Sequence, residues 1–99
     1  MAKRKPRFKK NDSGKLRWHL FHWPSLERIL EVLEHGVDEY GEDNWKECDD
    51  ENRYLNALQR HISARFQGEI RDPKTGLSHL AHAGCCIIFL LFMEEENEL

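Results

Sequence analysis

The sequence has few cysteines and no long apolar run. The three cysteines, Cys48, Cys85 and Cys86, form no CxxC pair, and two of them are adjacent within an apolar stretch. This pattern is typical neither of a disulfide framework nor of a zinc ribbon, so we expect a reducing, cytoplasmic environment. The longest apolar run, AGCCIIFLLFM, has 11 residues. A membrane-spanning helix needs about 20 such residues, so we expect no membrane partner.

Basic residues are also scarce beyond the N-terminus. Six of the 15 lysines and arginines lie in the first 10 positions, which leaves nine of them to face 18 acidic residues. The basic stretch is followed by NDSGK rather than by an apolar segment, so it is not typical of a secretory signal. We predict a solvated, disordered tail over 1–13 that contacts nucleic acid weakly at most.

The chain is too short for a large private core. It has 99 residues, and a chain of this size buries only about 65% of its unfolded surface. Its apolar residues cluster in a few segments with helical spacing. We therefore predict a single all-α domain over 14–99, a small bundle of three main helices whose core is completed by oligomerisation.

The first helix is predicted in the stretch WPSLERILEVLEHGVDEYG. The apolar residues that recur there at helical spacing are Leu26, Ile29, Leu30, Leu33, Val37 and Tyr40. Pro24 suits the first helical turn, and we expect Gly41 to end the helix. Gly36 falls beside the apolar stripe, so we interpret it as a glycine that lets another backbone approach closely.

A line of carboxylates follows the flank of the same helix. Its members are Glu27, Glu31, Glu34 and Asp38. Like charges at these spacings repel one another by about 0.2–0.5 kcal/mol per pair, so something should offset them. A divalent cation bound by the ExxE pair, Glu31 and Glu34, is one explanation. A solvated acidic edge near a lysine or arginine of a neighbouring helix is the other.

The second helix is predicted over about 53–67. Its inward-facing residues are Tyr54, Leu55, Leu58, Ile62 and Phe66. Tyr54, His61 and Arg65 line one edge of this apolar face. For His61 alone, a hydrogen-bonded structural role and a catalytic role are both open.

The third helix is predicted to begin after Ser78, whose side chain can cap it. Its two sides are both mostly apolar, so we expect the helix to be buried all round with the help of a partner subunit. This expectation and the small size of the chain both favour self-association.

Two histidines stand at the head of this third helix. His79 and His82 are three residues apart, so their imidazoles project in the same direction. The preceding turn can bring Glu69 and Asp72 toward them and form a polar pocket. Metal binding or catalysis is one interpretation of this set, and hydrogen bonds to the loop backbone are the other.

Several separated motifs occur in a recognisable order along the chain. They are Lys15, Arg17, Trp18, Gly36, Tyr40, Gly41, Asn44, Trp45, Arg53, Tyr54, Ala57, Arg60, His61, Gly68, Glu69, Asp72, Gly76, His79 and His82. Over roughly 14–92 this series resembles a largely phage-borne family, the dATP/dGTP diphosphohydrolase N-terminal domain. That family looks like a divergent relative of the MazG-type all-α nucleotide pyrophosphohydrolases, which bind divalent metal and assemble as dimers or tetramers.

The resemblance implies a metal-dependent enzyme that cuts a purine deoxynucleoside triphosphate to the monophosphate and pyrophosphate, in the host cytoplasm if a phage encodes it. The metal residues that it suggests are Glu31, Glu34, Glu69, Asp72 and His82. The expected catalytic residues are His61, Arg60 and His79, which would shuttle a proton and neutralise phosphate charge. The expected substrate-binding residues are Lys15, Arg17, Asn44, Trp45 and Tyr54.

The cofactor expected from this comparison is Mg²⁺ or Mn²⁺. If the histidines bind the ion, Mn²⁺ is favoured, because Mg²⁺ prefers oxygen ligands. Asn44 and Trp45 are expected to recognise the base, although a buried tryptophan and a turn-forming asparagine explain them equally well.

Two functions of other classes compete with hydrolysis. The first is a phage protein that captures a nucleotide or cyclic nucleotide without turnover, for which histidines in place of carboxylates are no obstacle. The second is a structural or regulatory oligomer whose basic tail recruits nucleic acid. The second leaves the polar groups of the predicted pocket without a purpose.

Overall fold

The computed structural model describes residues 7–97 of the chain and consists of helices joined by short loops. The main helices are α1, Trp23–Tyr40, α2, Glu51–Phe66, and α3, His79–Glu96. Two short 3-10 helices cover Trp18–Leu20 and Asn44–Glu47. Within residues 7–97 the only extended pairing is an isolated bridge between Arg71 and Ser78. The all-α prediction with three main helices is therefore confirmed.

The helix ends follow from the residues at the caps. Pro24 stands in the first turn of α1, and Gly41, with a positive φ of 94°, ends that helix. α2 begins at Glu51, two residues earlier than expected, because the Asp50 side chain accepts from the backbone N–H of Asn52 at 3.0 Å. The sequence pattern showed the apolar face of α2 but not this cap.

Helix α3 is the centre of the fold, and α1 and α2 both pack against it. The core between α1 and α3 is built from Val32, Ala81 and Cys85, with Ile29, Leu33, Leu77 and Phe89 packed around them. α2 covers another side of α3 through aromatic and histidine side chains. The bundle is thus held together by its last helix.

A glycine does permit close packing, but it is Gly84 rather than Gly36. A Cβ on Gly84 would lie 2.6 Å from Cδ1 of Ile29, whereas a Cβ on Gly36 would meet nothing within 4 Å. The Cys85 thiol, next to Gly84, donates to the Ile29 carbonyl at 3.3 Å. The interpretation of Gly36 as a packing glycine is wrong for the described chain, because α1 meets α3 through Ile29.

Helix α3 is not buried all round within a single chain. Leu80, Ile87 and Leu91 are 52%, 47% and 57% exposed, because α1 and α2 cover only the other sides of the helix. Phe66, expected to face inward, is 87% exposed because α2 ends there and the chain turns away at Gly68. These apolar side chains are left exposed by the described chain.

The described residues before the first 3-10 helix include part of the predicted basic tail. Residues 1–6 of the predicted basic tail lie outside the described residues, and 7–12 form no helix or strand. Among residues 7–97 no helix combines the length and apolar character that crossing a bilayer requires.

Candidate functional site

A narrow loop between α2 and α3 places acidic side chains beside the histidines. The Asp72 N–H donates to the Leu77 carbonyl at 2.8 Å, and the His79 N–H donates to the Ile70 carbonyl at 2.9 Å. Gly76 allows the turn between them with a positive φ of 74°. The loop is therefore pinned to the head of α3, so its carboxylates face the first turn of that helix.

His79 is the most enclosed of the histidines and is only 4% exposed. Its Nε2 lies 2.7 Å from Oε1 of Glu69, and its Nδ1 lies 2.9 Å from Nδ1 of His61. An ionised carboxylate only accepts, so His79 donates from Nε2 to Glu69. The two Nδ1 atoms then share a single proton, because a hydrogen bond needs one donor and one acceptor.

Asp72 divides its two oxygens between the loop and the histidines. Oδ1 accepts from the Lys74 N–H at 2.7 Å, and Oδ2 lies 3.9 Å from Nδ1 of His61. Burial raises the pKa of Asp72, but the Lys74 amide and the nearby imidazoles outweigh it, so the pKa is held below its usual range. Asp72 is therefore an anion at neutral pH.

Three donor atoms of this cluster converge. One ligand atom each from His61, Asp72 and His79 lie within 4.8 Å of one another. Two imidazoles and a carboxylate from three different segments are a common way for proteins to hold a divalent transition metal. The donor set is thus chemically suited to such an ion.

His82 lies against the same cluster but uses a different partner. Its ring is stacked on that of His61, with centroids 4.6 Å apart and planes 8° apart. Its Nε2 lies 2.8 Å from Oγ1 of Thr75, which also accepts from the Leu77 N–H at 3.1 Å. Burial, reinforced by neighbouring imidazoles, lowers the pKa of both His61 and His82, so both rings are neutral at pH 7.

The cluster opens onto one end of a long groove. The groove has a volume of about 1140 Å³, with α3 as its floor and with residues of α1 and α2 along its walls. His61, Asp72, Lys74 and His82 line it at the histidine end. Its size is that of a site for a small ligand.

Aromatic residues form the other end of the groove. The Trp45 indole is stacked on Phe89 with centroids 4.6 Å apart, and Phe92 meets it edge-on at 5.0 Å. The Tyr54 hydroxyl donates to the Trp45 carbonyl at 2.7 Å, and burial raises the pKa of Tyr54 to about 12. These contacts hold the segment Asn44–Glu47 in place. Asn44, Trp45 and Tyr54 all line the groove.

Seven residues expected at the site are not among those that line this groove. Two of them, Glu69 and His79, still join the histidine cluster through their hydrogen bond, and the other five lie apart from it. Glu31 and Glu34 are exposed on α1, and Lys15 and Arg17 are exposed before the first 3-10 helix. Arg60 lines a separate hollow of about 670 Å³, together with Glu69. The structure therefore brings together Glu69, Asp72 and the histidines, but it does not bring the first-helix carboxylates to them.

Two residues of the site were missed in the sequence. Thr75 contacts His82, and Lys74 places a cation at the histidine end of the groove. The stretch DPKTG is typical of a turn, and nothing in its spacing indicates that the turn folds back over α3. A threonine seven residues before a histidine is too common to serve as a signal.

Comparisons with known proteins agree on one family. The family profile described as "dATP/dGTP diphosphohydrolase, N-terminal" matches residues 5–99. A protein of Salmonella phage PMBT28 named dATP/dGTP diphosphohydrolase is 33% identical over 84 residues, which are 85% of this chain and 29% of that protein. The chain thus spans less than a third of this relative, and no solved structure gives a significant match. On the strength of the profile match, the chain belongs to the dATP/dGTP diphosphohydrolase N-terminal domain family.

Proposed function

We propose that this chain binds a purine deoxynucleoside triphosphate in the groove and hydrolyses it to the monophosphate and pyrophosphate. One observation carries the proposal: a single groove joins an aromatic end at Trp45 and Tyr54 to a cluster of imidazoles around Asp72. A nucleotide has a flat base and a charged polyphosphate, so it needs two such different ends. The family name and the phage relative agree with this substrate class.

The histidine end suits the polyphosphate. Lys74 supplies a positive charge there, and His61 and His82 line the same stretch of the groove. Because burial lowers the pKa of His82 and keeps its imidazole neutral, this ring can accept a proton from a water molecule that attacks phosphorus. Catalysis would consist mainly of positioning and of neutralising charge.

A divalent ion is needed to complete this site. The donor atoms of His61, Asp72 and His79 lie within 4.8 Å of one another, so the residues present fit such an ion. When bound, Mg²⁺ or Mn²⁺ neutralises phosphate charge and makes a nearby water molecule more acidic. The chain's own part is to hold Asp72 ionised through the Lys74 amide and to orient His79 through Glu69.

The aromatic end suits the base. One face of the Trp45 ring is occupied by Phe89, so the base would meet the remaining exposed part of the indole and the Asn44 amide. The contacts of Trp45 with Phe89 and Phe92 also give it a packing role, and the two roles are compatible because the part of the ring that these residues leave uncovered can meet the base. Purines are favoured because they offer the larger stacking surface.

The test is a product assay with matched carboxylate variants. Purified protein is incubated with each deoxynucleoside triphosphate and Mn²⁺ or Mg²⁺, and the products are separated by anion-exchange chromatography. We expect monophosphate and pyrophosphate, with dATP or dGTP preferred. Asp72→Asn should lower kcat/KM by about 100-fold or more, since it removes a charge at the reacting centre.

Glu34→Gln is the control, because it also replaces one carboxylate by an amide but lies outside the groove. It should leave turnover nearly unchanged. A large loss with Glu34→Gln and none with Asp72→Asn would assign the ion to the acidic line of α1 instead. Release of inorganic phosphate without pyrophosphate would contradict the proposed bond cleavage.

Capture of a nucleotide without turnover is the second candidate. It is favoured by the packed Trp45 loop, which is pre-formed by contacts to Tyr54, Phe89 and Phe92 and needs no metal. A melting temperature raised by a nucleotide in EDTA, with no product from any triphosphate in Mn²⁺ or Mg²⁺, would establish capture and reject hydrolysis.

A further inference from the structure

We propose that Nδ1 of His61, Nδ1 of His79 and a carboxylate oxygen of Asp72 bind a transition-metal dication in preference to Mg²⁺, with Glu69 as the group that orients His79. This inference rests on the proposed function for its biological purpose, but the metal site is argued from the cluster alone. It reassigns His61 and His79 from proton transfer to metal binding, and it moves Glu69 from ligand to supporting partner.

The spacing of the two nitrogens is the first argument. His61 Nδ1 and His79 Nδ1 are 2.9 Å apart. Ring nitrogens bind such metals at about 2.0–2.1 Å, so two of them at right angles around one ion lie about 3 Å apart. The pair already has the separation that adjacent ligands require. In the ion-free chain the proton on Nδ1 of His61 bridges this gap, and neutral His61 would carry that proton on Nε2 instead when its Nδ1 binds an ion.

The orientation of His79 is the second argument. A metal-binding histidine usually donates its other ring N–H to a carboxylate or carbonyl, which fixes the ring and its tautomer. His79 has this partner, because its Nε2 lies 2.7 Å from Oε1 of Glu69. The ring is 4% exposed, so it cannot easily turn away. Its Nδ1 lone pair is therefore directed at His61.

Asp72 is prepared in a similar way. Its Oδ1 is held by the Lys74 N–H at 2.7 Å, which leaves Oδ2 on the side of His61 at 3.9 Å from Nδ1. The backbone bond from Asp72 N–H to Leu77 fixes the residue itself. The carboxylate is thus oriented by its loop, independently of the histidines.

The ligand types decide the class of metal. Imidazole suits manganese, iron, cobalt, nickel and zinc, whereas Mg²⁺ prefers oxygen ligands and retains its waters. Two nitrogens and one oxygen therefore select a transition metal. His82 does not belong to the ligand set, because its Nε2 is engaged by Thr75 at 2.8 Å. It is left as the imidazole that can carry a proton beside the ion.

The experiment measures metal binding to the full chain in the absence of nucleotide. EDTA-treated protein is titrated with Mn²⁺, Co²⁺, Zn²⁺ and Mg²⁺ by calorimetry, and the Co²⁺ complex is examined by visible absorption for nitrogen ligation. We expect one site, with Co²⁺ and Zn²⁺ bound at least tenfold more tightly than Mg²⁺. The histidine ¹⁵N resonances of Nδ1 in His61 and His79 should shift on Zn²⁺ binding.

Variants separate the roles. His61→Gln and Asp72→Asn should each weaken Co²⁺ binding by tenfold or more, and Glu69→Gln should weaken it by about 10–100-fold, as expected for a supporting partner. Glu34→Gln should leave it unchanged. Circular dichroism verifies the helix content of each variant. Glu69→Gln takes the place of a His79 variant, because His79 is buried whereas Glu69 lies at the surface.

Equal affinity for Mg²⁺ and Co²⁺, or binding that is insensitive to His61→Gln and Asp72→Asn, would overturn the inference. Tight Co²⁺ binding without hydrolysis of any triphosphate would reject the proposed function and leave the metal site standing. Hydrolysis in Mg²⁺ with no measurable preference for a transition metal would support the proposed function and reject the metal site.

Discussion

Asp72 shows how one side chain links the backbone to the chemistry of the site. One of its oxygens accepts from Lys74 and stabilises the turn, while the other lies near His61. The sequence showed that Asp72 precedes a proline and that two histidines follow, which was enough to expect them near one another. It did not show that His61, 18 residues before His79, meets the same cluster, because helical spacing relates residues only within one helix.

The three cysteines should differ in reactivity, because two of them are buried. Cys85 is 2% exposed and burial raises its pKa to about 12, and Cys86 is buried and has a raised pKa for the same reason. The thiolate is the reactive form, so neither should react in the native state. With iodoacetamide at pH 8, we expect mass spectrometry to find the label on Cys48, which is only half-buried.

Addition of urea should make all three thiols reactive, which provides the control. Rapid native labelling of Cys85 would show that the seam between α1 and α3 opens easily, contrary to the packing of Cys85 against Ile29.

The histidines make stability depend on pH. Burial lowers the pKa of His61 and His82 below 6.5, so the unfolded chain binds more protons than the folded chain as the pH falls below that value. The free energy of unfolding in EDTA should therefore decrease between pH 7.5 and 5.5. Urea denaturation followed by circular dichroism measures it. Asp72, whose pKa is lowered from 3.8, adds a further loss at more acidic pH.

Replacing one histidine tests whether His82 causes the decrease in the free energy of unfolding between pH 7.5 and 5.5. His82→Asn should flatten the dependence between pH 7.5 and 5.5, whereas His19→Asn, in an exposed segment, should not change it. A slope that is the same in both variants would mean that His82 titrates as it does in the unfolded chain.

At the scale of the elements, the helix caps explain which boundaries could be predicted. Pro24, Gly41 and Ser78 act locally, so their sequence positions were sufficient, and the Ser78 side chain accepts from the N–H groups of Leu80 and Ala81. α2 begins two residues earlier than its apolar spacing predicts, because the Asp50 side chain caps it. Which residues of α1 are buried is harder to predict from the sequence. The apolar stripe includes Leu30 and Val37, which the described chain leaves exposed.

The two helical glycines allow a matched comparison of packing. Gly36→Ala adds a methyl group where nothing lies within 4 Å, so it should stabilise the chain by about 1 kcal/mol through helix propensity. Gly84→Ala gains the same propensity but forces the Ile29 side chain to move, since its Cδ1 is 2.6 Å from the new Cβ. Overpacking costs about 1–3 kcal/mol, so the net effect should be destabilising by up to about 2 kcal/mol.

Urea denaturation of both variants measures these changes. If Gly36→Ala is instead strongly destabilising, another backbone packs against Gly36 in solution, which would point to a subunit interface on α1.

The whole molecule has more exposed apolar surface than a small monomer needs. Leu80, Ile87 and Leu91 on α3 and Leu30 on α1 are all about half exposed. This agrees with the expected oligomer, since the patch exposes side chains at helical spacing that a second subunit could cover. From the sequence, this surface could be foreseen as an excess of apolar residues. The face on which it lies depends on how α1 and α2 divide the sides of α3, which is a tertiary property.

We propose a dimer or tetramer formed through this α3 surface. Sedimentation velocity at several concentrations should show association of the unmodified chain, and Ile87→Glu should shift it to the monomer, because a charge would be desolvated in the interface. Glu94→Lys, a charge change at an exposed position near the end of α3, is the control. A monomer at all concentrations would contradict this assembly.

Helix α3 forms the floor of the groove, and α1 and α2 pack against it at different places. The histidine spacing is set where α2 meets α3, whereas one wall of the groove is set where Ile29 of α1 rests on Gly84. Substitutions at the Ile29–Gly84 contact can therefore widen or narrow the cavity while His61 and His79 keep their separation. The shape of the groove and the histidine spacing that the proposed cation site needs are thus set at different helix contacts.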